Sequence, residues 1–164
     1  MSETAAVYWE SIIRIYGFKE LKRLSLFSIV HPFERAGYWG EQIQSMDEGS
    51  FDLVFVQGLC RESAQLCIIF EEKFCNSCRL KIEKAVESEA NTSCTFNFPV
   101  EVVVFHGPHF QDRYGIANAA FDVLQKAGLP VLASGCSGTS MYIVLPENAA
   151  RPAIESLGQK FVVP

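Results

Sequence analysis

Apolar and polar positions divide the chain into short blocks that come twice in the same order. Residues 24–30 (LSLFSIV) form an apolar run and residues 100–105 (VEVVVF) a β-branched one, and both predict strands. A polar loop containing glycine follows each, and then a helical pattern. In the second half Ile116, Ala119, Ala120, Val123, Leu124 and Ala127 fall at helical spacing, with Gly128 and Pro130 as the stop. In the first half Trp39, Ile43 and Met46 mark a helix over residues 38–46. Paired apolar runs come next, 51–57 with 65–70 and 131–134 with 141–145, each pair predicting a hairpin. Gly135-Cys136-Ser137-Gly138 reads as the turn of the second hairpin. Amphipathic helices follow over 75–86, through Cys78, Leu80, Ile82 and Val86, and over 148–160, through Ala149, Ala153, Ile154 and Leu157. Closing strands at 94–98 and 161–163 complete a β-α-β-β-α-β order in each half.

Right-handed β-α-β crossovers put both helices of such a unit on one face of a four-stranded antiparallel sheet, burying the helical stripes against it. The expected fold class is therefore α+β, with two ferredoxin-like βαββαβ units. Their bounds are 24–98 and 99–164, after an N-terminal extension over 1–23. In that extension Tyr8, Trp9, Ile12, Ile13 and Tyr16 suit either an amphipathic helix or an extra strand. Glu34-Arg35-Ala36-Gly37 and Asp112-Arg113-Tyr114-Gly115 repeat an acid-Arg-x-Gly pattern at an offset of 78 residues, an offset shared by His31 and His109.

Composition narrows the function. With 49% hydrophobic residues and 13 Phe, the chain has the apolar material for a core. A net charge of −5 and no basic run longer than residues 19–23 argue against nucleic-acid binding. The first residues lack the basic and apolar regions of a secretory signal, and no apolar run approaches the roughly 20 residues that span a bilayer. The expectation is a cytoplasmic chain with no membrane partner, its six cysteines reduced.

Candidate chemistry gathers at the repeated loop. A loop that ends at a helix N-terminus offers about four N–H groups without intrahelical partners and roughly half a positive charge, which suits a carboxylate. Gly115 would admit the backbone of a ligand, Asp112 or Gln111 would receive its ammonium group, and Arg113 would assist the carboxylate. The same residues also read as an ordinary helix start, with Asp112 as N-cap. His106 and His109, with Cys136, do not fix a third or fourth metal ligand, so no metal or cofactor is assigned. Cys75-x-x-Cys78 lacks a second pair for zinc, and a redox role competes with burial of small apolar side chains. No Ser-His-Asp order, HExxH helix, P-loop or dinucleotide fingerprint is present, and no enzymatic activity is expected.

The run from Gly107 through Asp112, Gly115 and Ile116 to Ala127-Gly128-Leu129 resembles the strand, glycine loop and helix of an ACT domain. Residues 100–161 resemble the C-terminal regulatory ACT domain of aspartate kinases, and residues 24–89 resemble a second one less closely. The resemblance implies tandem ACT-like units that sense an amino acid or similar small ligand. It places ligand contacts at His109, Phe110, Gln111, Asp112, Arg113, Tyr114, Gly115 and Ile116, with Glu34, Arg35 and Gly37 at the corresponding place in the first unit. Tyr38 and Trp39 crowd that first place, which favours the second unit. With no phosphate-binding segment, the implied protein is a regulatory part without its enzyme, acting through an enzyme or regulator partner or by forming a homodimer. A scaffold that docks a partner without a small ligand, and a thiol redox protein using Cys75 and Cys78, are the competing functions.

Overall fold

The computed structural model describes residues 12–46, 53–58, 62–108 and 110–164. They form a mixed α/β fold with antiparallel strand pairs and β-α-β connections. The chain divides into two compact units, Arg23–Val100 and Met1–Lys22 with Glu101–Pro164. Two long strands, β2 (Gly17–Pro32) and β5 (Ser93–His106), contribute residues to each.

In the Arg23–Val100 unit, β2 leads to α1 (Ala36–Gln44), β3 (Leu53–Gly58), β4 (Ser63–Glu71), α2 (Cys75–Glu87) and β5. The strand order is β3-β4-β2-β5, the split β-α-β order in which each helix crosses over a neighbouring strand. β4 runs antiparallel to both neighbours, with Ile68 opposite Phe27 of β2 and Val54 of β3. Leu66, Ile68 and Phe70 alternate toward one face, where they pack with Phe27, Ile29, Trp39, Cys78, Ile82 and Ala85. Cys78, Ile82 and Ala85 are the buried stripe of α2. Leu80, which periodicity assigned to that stripe, is 68% exposed because it lies two residues from Cys78, off the packed face.

The other unit holds β1 (Ile13–Arg14), α3 (Ile116–Lys126), β6 (Ala133–Ser137), β7 (Ser140–Pro146), α4 (Ala150–Leu157) and β8 (Phe161–Val162), besides its share of β2 and β5. Its strand order is β2-β5-β7-β6, and β1 and β8 make a separate parallel pair. Val103, Phe105, Ile143 and Leu145 from the sheet meet Ile116, Ala120, Leu124, Ala153 and Leu157 from the helices, and Ile13, Ile15 and Phe161 complete the cluster.

Three details depart from the sequence expectation, and one decides between its two alternatives. Residues 94–98 and 100–105 form one strand, Ser93–His106, because the strand that ends one unit is also the strand that begins the other. Over its described residues the N-terminal extension is strand: Ile13 and Ile15 are buried while Ile12, Arg14 and Tyr16 are exposed, a period of two. The closing strand β8 pairs with β1 and not with β5, whose free side is taken by β2; the extension thus stands where a ferredoxin-like unit puts its last strand. The second hairpin turns at Gly138 and Thr139, between the paired Ser137 and Ser140, so Gly135 and Cys136 lie within β6.

Candidate functional site

The loop from β5 to α3 is built on a close approach. A Cβ at Gly107 would collide with the Arg14 carbonyl oxygen and lie 2.7 Å from Phe110 Cε1, so only glycine lets the N-terminal strand pass over the loop. Phe110 is anchored edge-on to Phe105, ring centroids 6.0 Å apart, at the margin of the core. The Arg113 guanidinium donates from Nη1 to the Ile12 carbonyl at 3.0 Å. The Tyr16 N–H donates to His106 O at 2.9 Å, so contacts at both ends hold the N-terminal strand against this loop.

Gly115 is the N-cap of α3, with φ 85 and ψ 6 in the left-handed region and no side-chain cap. Asp112, read as a cap from the sequence, stands three residues ahead of Gly115 and does not cap the helix. The first intrahelical bond runs from Ala119 N–H to Gly115 O at 2.9 Å, which leaves the N–H groups of Ile116, Ala117 and Asn118 ahead of it without intrahelical acceptors. Among the described residues nothing lies within 4 Å of where a Cβ on Gly115 would be. Gln111, Asp112 and Tyr114 are exposed around this opening, Tyr114 by 88%, while Ile116 turns into the core. His109 lies outside the described residues.

The matching place in the other unit has different geometry. Arg35 is the N-cap of α1, so Gly37 is the second residue inside the helix and has no positive φ. The sequence repeat therefore aligns Gly37 with Gly115, whereas the fold aligns Arg35 with it. Arg35 is committed to a bidentate pair with Glu89 and lies 4.8 Å over the Tyr38 ring. The hydrogen bond from Arg35 holds the Glu89 carboxyl below its ordinary range and raises the guanidinium in turn. Glu34 and Gly37 are exposed. Trp39, which with Tyr38 suggested a crowded pocket, is core, 1% exposed.

One residue that matters was missed. Glu101 is 4% exposed and its carboxylate accepts the Ala150 N–H at 2.8 Å, capping α4, whose own N-cap is Ala149. The signal was a lone acid inside the β-branched run of residues 100–105. α4 is thus closed by a carboxylate of the protein, while α3 has no side-chain cap.

The described cysteines lack the setting of reactive thiols. Burial raises Cys67 and Cys136, and burial aided by the Glu83 charge pushes Cys94 up to about 11. Cys78 is buried, and the side chain of Cys75 lies outside the described parts. Among the described residues no group of three or more His, Cys, Asp or Glu could hold a metal ion, and no helix is long and apolar enough to cross a membrane.

No protein-family model and no curated protein matches the chain. Solved structures match it in fold. The regulatory subunit of aspartate kinase from Thermus flavus aligns with a TM-score of 0.75 at 12% identity, covering 89% of this chain and 97% of that one. Aspartate kinase from Synechocystis aligns at 0.80 and 14% identity over 94% of this chain, which spans 28% of that enzyme. Aspartokinase III from E. coli, solved in complex with lysine and aspartate in the T-state, aligns at 0.57 and 12% identity, covering 93% and 34%. At these identities the shared property is the fold: the chain resembles the ACT-domain regulatory region of aspartate kinases.

Proposed function

We propose that this chain is a non-enzymatic regulatory module that binds an amino acid or similar small ligand at residues 109–116. The observation that carries this reading is the α3 N-terminus, where Gly115 leaves open space and three N–H groups precede the first helical bond. A ligand carboxylate would take those N–H groups, and Asp112 or Gln111 would take its ammonium. Further support comes from the neighbours in fold, among them a regulatory subunit and a kinase solved with lysine and aspartate. The same reading treats the chain as two ACT-like units, 24–98 and 99–164, with the extension 1–23 serving the second. The module works in the cytoplasm, assembles as a homodimer and passes its ligand state to an enzyme or regulator partner. Glu34, Arg35 and Gly37 form the weaker counterpart, since Arg35 is already held by Glu89.

A thermal-shift screen of the twenty amino acids tests this. A ligand at 100 times its dissociation constant stabilises the fold by about 2.7 kcal/mol, a rise in Tm of roughly 5–10 °C for a chain of this size. Asp112→Asn, at an exposed position, should weaken the responding amino acid at least tenfold and leave the unliganded Tm nearly unchanged. Absence of any response across the screen would remove the sensing role, leaving the docking scaffold as the better account.

A further inference from the structure

The Arg23–Val100 unit has a groove that the proposed function does not use. It lies between α1 and α2, has a volume of ≈ 370 Å³, and is walled by Tyr38, Gln42 and Ser45 on one side and Lys81, Lys84, Ala85 and Ser88 on the other. Its hydroxyl groups are engaged within the walls. Ser45 Oγ donates to Gln42 O at 2.7 Å, Ser88 Oγ donates to Ala85 O at 2.8 Å, and the Tyr38 hydroxyl lies 3.2 Å from Ser88 Oγ. The Lys81 and Lys84 ammonium groups, by contrast, have no partner among the described residues, and among those residues no carboxylate lines the groove. Other cations of the same unit are matched, Arg23 with Glu72, Arg35 with Glu89, Lys73 with Glu71 and Arg79 with Glu83.

The other unit supplies an internal comparison. Its own groove between helices, ≈ 250 Å³, is lined by Asp122, Lys126, Ser156 and Lys160 among others. There Lys126 Nζ lies 2.7 Å from Asp122 Oδ2, so that groove carries its own anion. The described lining of the α1–α2 groove does not.

We propose that the α1–α2 groove binds a small molecule carrying a phosphate group. Lys81 and Lys84 are three residues apart on α2 and therefore present their stems on one face, about 5–6 Å apart at Cβ. Two ammonium charges balance a phosphate dianion, where a monocarboxylate would leave one of them unneutralised. The Gln42 amide adds a donor from the facing helix, and the Tyr38 ring and Ala85 methyl offer apolar surface to the organic part. The volume falls within the roughly 300–1,000 Å³ of small-molecule sites. Lys81 shares the groove with Ser45, the C-cap of α1, and the competing account is that it only complements the dipole of that helix. That role predicts a loss of stability on substitution and no dependence on anions.

The test titrates the full chain with inorganic phosphate, sodium chloride and succinate at matched ionic strength, following backbone amide NMR shifts. Phosphate should shift residues 38–45 and 81–88 saturably. The Lys81→Gln/Lys84→Gln double variant should weaken the apparent affinity at least tenfold, and the double Arg variant should retain it. Lys126→Gln, in the other groove, should leave the titration unchanged. Both lysines are exposed, so the variants are expected to fold, and unchanged amide dispersion elsewhere verifies it. Equal shifts in wild type and the Gln double variant, or shifts that chloride reproduces, would overturn the site. Tighter binding of succinate than of phosphate would overturn the assignment to phosphate.

Discussion

The left-handed backbone at Gly115 (φ 85) sets the cost of altering the candidate loop. A side chain there is strained by about 1–2 kcal/mol even though space is open around it, so Gly115→Ala should lower stability by roughly that amount in urea unfolding. Gly37 has the opposite setting, an exposed helical position with nothing among the described residues within 4 Å of an added methyl group, and Gly37→Ala should raise stability by about 0.5–1 kcal/mol. Glu101 makes a second residue-scale case. Its removal in Glu101→Ala would leave the Ala150 N–H without its acceptor, a loss of about 1–3 kcal/mol. Glu101→Gln keeps an acceptor oxygen and should lose less, and equal losses in the two variants would show that the hydrogen bond contributes little.

Between elements, the Arg35–Glu89 pair links the start of α1 to the segment just after α2. The folded Glu89 carboxyl titrates below its ordinary value because of the hydrogen bond from Arg35. Its contribution is therefore fully present above the unfolded carboxylate value of about 4.3, and is lost as pH falls through the lowered folded value, since the unfolded chain takes up the proton first. Thermal melts across that acidic window should show wild type losing stability more steeply than Glu89→Gln, and parallel pH profiles would mean that the pair carries no linkage. The same pair occupies Arg35 at the N-cap of α1, which is why the proposed function favours the second copy of the repeated motif over the first.

At the scale of the whole molecule, each unit leaves an outermost strand in its order, β3 in one and β6 in the other. Among the described residues of these strands β3 pairs with β4 and β6 with β7, which leaves one ladder side of each for pairing beyond those strands. The predicted homodimer would cover such a strand, and light scattering at high micromolar concentration should return twice the 18.3 kDa chain mass. A monomer mass at that concentration would remove the dimer from the proposed function without touching the ligand site.

Periodicity in the sequence determined the local elements: helices at Ile116–Lys126 and Ala150–Leu157 and strands at Ser63–Glu71 and Ser140–Pro146 lie close to where apolar spacing puts them. It did so because burial of one face writes a period into the chain that can be read without knowing the partner. The close approach that requires glycine at Gly107 was not legible this way, since it depends on Arg14 passing over the loop. Nor was pairing. Whether residues 12–16 were strand or helix, and whether β8 closed on β5 or on β1, depended on which surface offered free hydrogen-bonding groups, a property of segments more than a hundred residues away. The equivalence of Gly37 with Gly115 likewise failed because the helix start, and with it the sign of φ, is fixed by the packing of the preceding loop. Glu101 is the sharpest instance: as a sequence letter it is an acid in a strand, and only the tertiary structure brings the Ala150 N–H to its carboxylate and makes burial of that group affordable.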